Sequence, residues 1–153
     1  MPTTTTQLKQ TCDWLRNISQ EGQLYSDSRE ITLSENGDAV FFAYPNDEAD
    51  GRNYIAHAIS SGAKAVVHEE VGFEWNKSWG VPHLAVTNLK KHAGQIAASF
   101  YRNPDADMFT VAVTGTNGKT SCTQWLAQAL SVRSNKTAVI GTLGVGIDRK
   151  SVV

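Results

Sequence analysis

The chain contains 153 residues, 41% of them apolar and 19% charged, and its formal net charge is −1. This composition is typical of a globular chain that forms one ordinary domain, or a small domain and part of another. A charge so close to zero argues against binding to nucleic acid or to an anionic membrane. No apolar run is long enough to cross a bilayer, and the start lacks the basic and apolar regions of a signal peptide, so we expect a cytoplasmic protein.

The first hundred residues alternate between the patterns of helix and strand. Apolar residues at helical spacing predict helices, and continuous apolar runs predict buried strands. Because helices and strands alternate, we expect a layered α/β domain with parallel strands. The predicted elements are helix Thr5–Ser19, strand Ala39–Pro45, helix Tyr54–Gly62, strand Ala63–Glu69, strand Val81–Val86 and helix Leu89–Phe100.

The turn sequence NPD at 103–105 interrupts this alternation and predicts a domain boundary. After it come an apolar strand, Phe109–Val113, a helix that carries Trp125 and Leu130, and one more strand within 136–147. One strand–loop–helix–strand unit cannot close a sheet, so we expect a second domain that has only begun. The sequence therefore predicts domains at 1–103 and 104–147, and we hypothesise that the reading frame is truncated and that residues 148–153, DRKSVV, are not native.

The cysteines and histidines do not follow a metal-binding pattern. The two cysteines lie far apart, and neither has a second cysteine or a histidine at metal-ligand spacing. We expect reduced thiols, and histidines that lie at the surface or form hydrogen bonds. These residues are Cys12, Cys122, His57, His68, His83 and His92.

A glycine-rich segment, TGTNGKTS at Thr114–Ser121, joins the predicted strand to the helix. Glycine allows positive φ angles and close approach of a ligand, and a helix start offers unpaired N–H donors. Lys119 adds a positive charge, and Thr120 adds a hydroxyl where a phosphate-bound Mg²⁺ would lie. The common P-loop needs glycine at position 113, where Val113 stands, so this loop is shorter. A plain turn is the alternative, but the strand before it and the helix after it favour a triphosphate site.

The segment VTGTNGKTS, with DSR (Asp27–Arg29) upstream, resembles the Mur ligase family, and the sequence from Ser26 to Val67 resembles its nucleotide-sugar-binding domain. The resemblance implies an α/β fold class: a small amino-terminal α/β nucleotide-sugar-binding domain, followed by the start of a P-loop-type parallel-sheet central domain, here truncated. It also implies an ATP-dependent ligase of peptidoglycan precursor synthesis. ADGRNYI and GTLGVG favour the member that adds the third residue, meso-diaminopimelate or L-lysine, to UDP-N-acetylmuramoyl-L-alanyl-D-glutamate.

The resemblance implies two sets of site residues. It makes Lys119 and Thr120 catalytic, with Thr120 next to Mg²⁺, and it implies ATP and Mg²⁺ as cofactors. The residues that would bind the ATP phosphates are Gly115, Thr116, Asn117, Gly118, Lys119, Thr120 and Ser121. Those that would contact the uridine end of the substrate are Ser26, Ser28, Asp47, Glu48 and Ala49.

The residues alone leave alternatives open. DSR also fits a plain turn in which Asp27 bonds its own backbone, and Arg29 either holds a phosphate or pairs with Asp27 or Glu30. Trp75 and Trp79 are expected to cap the small domain. The glycine-rich loop by itself also resembles that of folylpolyglutamate synthases.

Two other functions compete with the third-residue ligase. One is a UDP-sugar-binding module without catalysis, and the other is the Mur ligase that adds D-Ala-D-Ala. By resemblance, the ligase partners are UDP-N-acetylmuramoyl-dipeptide and a diamino acid, and the protein is a monomer. The family also needs downstream residues, so this chain alone is expected to be inactive.

Overall fold

The structure is a computed structural model that describes residues 4–20, 22–31, 38–47, 49–132, 136–142, 144–147 and 150–151. The chain divides into two compact units, Met1–Met108 and Phe109–Val153. In the part of the chain that is described, none of the helices has the length and apolar character needed to cross a membrane.

The first unit alternates between helices and strands, as the sequence predicts. It contains one strand, of three residues, that the sequence pattern does not predict, because so short a segment shows no period. Short 3-10 turns at Gly51–Tyr54 and Lys77–Trp79 complete the connections. The elements are α1 (Thr4–Ile18), β1 (Gln23–Tyr25), β2 (Ala39–Ala43), α2 (Ile55–Ser60), β3 (Ala63–Glu69), β4 (His83–Val86) and α3 (Leu89–Phe100).

The four strands of this unit form one parallel sheet in the order β1-β2-β3-β4. All five residues of β2 are buried, as are all residues of β3 except Lys64. Strands buried on both faces read as continuous apolar runs, which is why β2 and β3 were predictable. The α/β fold class is therefore confirmed.

Helices cover the two faces of the sheet unequally. On one face, α1 and α3 pack over Val40 and Phe42, and on the other face α2 packs over Phe41 and Val66. Among the described residues the second face carries no further helix, and aromatic side chains of the connection between β3 and β4 cover it. Trp75 and Trp79 cap the unit as predicted, and Phe73 packs against the same cluster.

Two histidines of the sheet join this aromatic cap. The ring of Trp75 stacks on His83 with 3.9 Å between centroids, and His68 Nε2 lies 3.1 Å from His83 Nδ1. Burial lowers the pKa of both histidines, because the charged form loses hydration. Both histidines form hydrogen bonds, as the sequence predicts for histidines outside a metal pattern.

The buried carboxylate of Glu69 organises the start of α3. It accepts hydrogen bonds from the backbone N–H groups of Asn88 at 3.0 Å and Leu89 at 2.7 Å, and a longer one from Val71 at 3.3 Å. Asn88 precedes the helix in the left-handed region, with φ 57°, and its own side chain does not cap the helix. A negative charge at a helix start is favourable, so Glu69, at the end of β3, serves as the cap that the local sequence lacks.

Within its described residues, the second unit contains one helix and three short strands. The helix α4 spans Lys119–Ser131, and β5 (Ala138–Gly141), β6 (Gly144–Ile147) and β7 (Lys150–Ser151) form an antiparallel sheet. The single strand predicted within 136–147 is thus a hairpin of two strands. β5 and β6 pair antiparallel, with Gly141 opposite Gly144, as strands so close in the chain do, whereas the resemblance implied a parallel sheet in this domain.

The predicted strand Phe109–Val113 is not a strand in the structure. The described strands of the second unit pair with one another in the order β5-β6-β7, and none of them pairs with this segment. Phe109 is 85% exposed, which shows that its apolar side chain has no cover among the described residues. An apolar run forms a strand only where a neighbouring strand pairs with it.

We expect Glu69→Ala to lower the free energy of unfolding of the first unit by about 2–3 kcal/mol, because it leaves the buried N–H of Leu89 and two partly buried N–H groups without their charged acceptor. Urea unfolding followed by far-UV circular dichroism measures the change. Glu74→Ala, at an exposed site in the β3–β4 connection, is the matched control and should change the free energy by less than about 0.5 kcal/mol. Equal unfolding midpoints for the two variants would contradict the capping role.

Candidate functional site

The glycine-rich loop enters α4 through two glycines in the left-handed region. Gly115 has φ 146° and Gly118 has φ 77°. A Cβ atom on Gly118 would meet nothing within 4 Å, so the backbone angle, and not space, requires glycine there. The Cys122 N–H donates to the Gly118 carbonyl at 2.9 Å, which closes the first turn of the helix. The N–H groups before Cys122 therefore have no acceptor within the helix and remain available to an anion.

Lys119 lies over this loop. Its Nζ donates to the Gly115 carbonyl at 2.6 Å, and the Thr116 carbonyl oxygen is 3.5 Å away. The side chains from Thr114 to Ser121 are exposed. The loop thus brings an ammonium group and free N–H groups together at a solvent-accessible helix start, an arrangement that can bind phosphate oxygens.

The donor set around the loop fits a phosphate-bound Mg²⁺ better than a metal held by protein alone. The Thr120 side chain lies in the first turn of α4, next to Lys119. Within the described ranges, no three His, Cys, Asp or Glu side chains come together to hold a metal. A cation at this loop would therefore take most of its ligands from phosphate and water, with Thr120 as the protein ligand.

The two segments predicted to contact uridine leave the same edge of the sheet. Ser26 follows β1 directly, and the segment 44–50 follows β2. β1 and β2 are adjacent and parallel, with Tyr25 paired to Phe41. The carboxyl ends of parallel neighbours share one edge, so both segments lie there, although Glu48 falls outside the described residues.

The loop after β1 is held by an ion pair within DSR. The Asp27 carboxylate accepts the Arg29 backbone N–H at 2.9 Å, and its two oxygens also bind Arg29 Nε at 3.0 Å and Nη2 at 2.6 Å. The hydrogen bonds from Arg29 lower the pKa of Asp27 to about 2. Of the alternatives that the sequence left open, the structure shows Arg29 paired with Asp27.

The two serines of this loop differ in exposure. Ser26 is exposed, whereas Ser28 is only 5% exposed, and its Oγ lies 3.0 Å from Nδ1 of His57. The Ser28 hydroxyl is therefore engaged by the protein, and Ser26 is the serine of this loop that faces solvent.

The segment after β2 is a closed turn. The Asn46 side-chain oxygen accepts the Ala49 N–H at 2.7 Å, and the Asn46 N–H donates to the Ala49 carbonyl at 2.9 Å. Lys90 Nζ contacts Asp47 at 2.8 Å, and this hydrogen bond lowers the pKa of the Asp47 carboxyl. Asp47 and Ala49 are thus presented at the rim of the sheet edge.

A second Asp-x-Arg turn follows, with the same geometry as DSR. Asp50 accepts the Arg52 N–H at 3.0 Å and binds Arg52 Nε at 2.9 Å and Nη2 at 2.7 Å. Arg52 Nη1 also donates to the Val71 carbonyl at 2.7 Å, and its guanidinium lies 5.5 Å from the Phe73 ring centroid. This turn fastens the segment after β2 to the β3–β4 connection.

Sequence reasoning missed three side chains that support these segments: His57, Arg52 and Lys90. The repeated D-x-R pattern was a signal for Arg52. The partners of Lys90 and His57 lie 43 and 29 residues away in the chain, and no local pattern indicates such pairs.

We expect Arg29→Ala to return the pKa of Asp27 from about 2 toward its ordinary value of 3.8, because the guanidinium that favours the carboxylate is lost. Because the pKa is lowered in the folded chain, the ion pair stabilises the loop fully above the ordinary pKa, and this stabilisation is lost as the pH falls through about 2. An NMR titration of the Asp27 side-chain carboxyl carbon measures the change. Arg16→Ala, on α1, should leave the Asp27 pKa unchanged, and an unchanged value in Arg29→Ala would contradict the assignment.

Comparison with known proteins gives matches in both units. The sequence model described as "Mur ligase family, catalytic domain" matches residues 24–101, half of the chain. The model described as "Mur ligase middle domain" matches residues 113–152. The first match lies in the first unit and the second match in the second unit.

Curated relatives named UDP-N-acetylmuramoyl-L-alanyl-D-glutamate–2,6-diaminopimelate ligase are similar to the chain. The protein of Janthinobacterium sp. (strain Marseille) is 59% identical over 144 residues, which are 94% of this chain and 28% of the relative. The proteins of Nitrosomonas europaea and Neisseria meningitidis serogroup A are 45% and 48% identical, over 80% of this chain and 23% and 24% of the relatives. The chain thus spans about a quarter of the length of these relatives. Because the family model covers half of its residues and the middle-domain model follows in the second unit, the chain belongs to the Mur ligase family.

Proposed function

We propose that the chain is part of an ATP-dependent ligase that adds 2,6-diaminopimelate to UDP-N-acetylmuramoyl-L-alanyl-D-glutamate in peptidoglycan precursor synthesis. The observation that carries the proposal is the order of two sites along one chain: a sheet edge formed by β1 and β2, then a cationic glycine-rich helix start. The names of the relatives support diaminopimelate over L-lysine as the added residue and over D-Ala-D-Ala as the added dipeptide.

In this proposal the glycine-rich loop binds ATP. Bound ATP supplies the phosphoryl group that activates the D-glutamate side-chain carboxylate for attack by the incoming amine. The backbone N–H groups from Gly115 to Ser121 take the phosphate oxygens, and Lys119 neutralises their charge. The Lys119 ammonium now bound to the Gly115 carbonyl exchanges that partner for a phosphate oxygen. Thr120 provides the hydroxyl ligand for Mg²⁺.

The sheet edge of the first unit binds the uridine end of the substrate. Exposed Ser26 and the rim residues Asp47 and Ala49 contact the nucleoside, together with Glu48, which lies outside the described residues. Ser28 contributes its backbone, because its hydroxyl is engaged by His57. Residues 1–103 then form the UDP-sugar-binding domain, and residues 104–147 begin the ATP-binding domain. A cytoplasmic location and a monomeric state remain predictions.

One observation favours a second candidate, a UDP-sugar-binding module without catalysis. The first unit has buried clusters on both faces of its sheet, whereas no side chain of α4 is buried within the described residues. Binding of a nucleotide sugar needs only the first unit, and phosphoryl transfer needs both.

Titration calorimetry on the chain separates these two functions. We expect UDP-N-acetylmuramoyl-L-alanyl-D-glutamate to release heat of binding, because the sheet edge is complete in the first unit. A separate titration with Mg-ATP then decides between them: binding supports the ligase, and its absence supports the binding module for this chain. If neither ligand binds, both functions are contradicted.

We expect Lys119→Ala to abolish ATP turnover in a full-length ligase that carries this segment, a loss of at least about 10²-fold, because one fixed positive charge on the phosphates disappears. A coupled ADP-release assay measures turnover. Lys136→Ala, at an exposed site in the same unit, is the matched control and should keep the wild-type rate. Turnover that stays within a few-fold in Lys119→Ala would show that the lysine has another role.

A further inference from the structure

A hydrogen bond ties the loop after β1 to helix α2. The Ser28 hydroxyl lies 3.0 Å from Nδ1 of His57, on α2, 29 residues further along the chain. Ser28 is only 5% exposed, whereas His57 as a whole residue is exposed. The bond therefore lies at the boundary between the interior and the solvent, beside the sheet edge where the two predicted uridine segments meet.

The other contacts of this loop do not fix its direction relative to the sheet, so that direction depends on the hydrogen bond between Ser28 and His57. The Asp27–Arg29 pair is internal to the loop and sets its turn, but not its direction relative to the sheet. Buried Ile31 anchors the far end of the loop in the cluster that contains Ile55 of α2. Between Tyr25, fixed in β1, and Ile31, the bond from Ser28 to His57 fastens the middle of the loop to α2.

Loss of the His57 side chain would have two consequences. The Ser28 oxygen would be left buried without its partner, which is unfavourable for a hydroxyl group. The Ser28 hydroxyl would gain a new partner by turning toward solvent, which would move the backbone of exposed Ser26. A ligand that binds this backbone would then pay the cost of reordering it.

We propose that His57 is a positioning residue of the nucleotide-sugar site, which acts through Ser28 to hold the Ser26–Ser28 backbone where the uridine end of the substrate binds. This inference rests on the function proposed above. His57 does not touch the substrate itself, so its effect on binding passes entirely through Ser28.

Calorimetry with UDP-N-acetylmuramoyl-L-alanyl-D-glutamate on variants of the full chain tests the proposal. His57→Leu removes the ring nitrogen and should raise Kd about three- to tenfold, the range expected for one lost hydrogen bond. His57→Asn places a polar side-chain atom at the position of Nδ1 and should restore Kd to within about twofold of the wild-type value. Asn53→Leu, also a polar-to-apolar change at an exposed residue, in the turn before α2, is the matched control and should bind like the wild type.

Ser28→Ala removes the same hydrogen bond by deleting the hydroxyl instead of the imidazole. It should raise Kd as His57→Leu does, and the double variant should bind no more weakly than Ser28→Ala alone, because both changes act on one contact. If His57→Leu does not fold, as judged by thermal melting, Ser28→Ala carries the test, and wild-type affinity in Ser28→Ala overturns the proposal.

The outcomes separate the two proposals. If the wild-type chain does not bind the UDP-linked dipeptide, the proposed function fails and this inference fails with it. If the wild type binds but His57→Leu has the same Kd, or if the effects of the two changes add in the double variant, only the role of His57 is overturned.

Discussion

Parallel pairing of β1 with β2 is the constraint on which the first unit depends. Because the two strands run in the same direction, the loops that follow them leave one edge of the sheet. Residues that are about twenty positions apart in the chain are thereby brought to one side of the molecule. An antiparallel pair would have placed the same two loops at opposite edges, and no side-chain chemistry could have joined them into one site.

The D-x-R turn occurs twice at this edge and has a different role in each place. Both D-x-R turns have an aspartate that accepts the backbone N–H and the guanidinium of an arginine two residues later. In the first turn the arginine side chain is 85% exposed, so the pair shapes only its own loop. In the second turn it is 13% exposed and reaches the Val71 carbonyl, so the pair fastens two connections together. Burial of the arginine, and not the motif, determines which role the turn has.

The sequence predicts those parts of the fold that are determined locally. Apolar runs buried on both faces gave β2 and β3, and helical spacing gave α1 and α3 with nearly their observed bounds. The strand expected at Phe109–Val113 did not form, because an apolar pattern shows only that a segment is able to pair and not that a neighbouring strand pairs with it. The cap of α3 could not be predicted from the local sequence either, since it comes from Glu69, about twenty residues before the helix.

The candidate site likewise has parts that the local sequence predicts and parts that it does not. Its glycines, Lys119 and the D-x-R turns have signatures within a few residues, and the sequence placed the first two with their chemistry. The bonds from His57 to Ser28 and from Lys90 to Asp47 join distant segments, so they arise only after the sheet and helices have packed. A single sequence carries no record of which exposed side chains will meet in this way.

The strand order of the first unit has a consequence for how the chain acquires its structure as it is synthesised. Since the spatial order β1-β2-β3-β4 repeats the chain order, each strand that leaves the ribosome adds to the free edge of the strand made just before it. The packing of α3 on α1, and the hydrogen bond from the Leu24 N–H to the Tyr101 hydroxyl at 2.9 Å, cannot form until about residue 100 has emerged. The edge of the sheet at its first strand is therefore covered only after the last helix of the first unit has been synthesised.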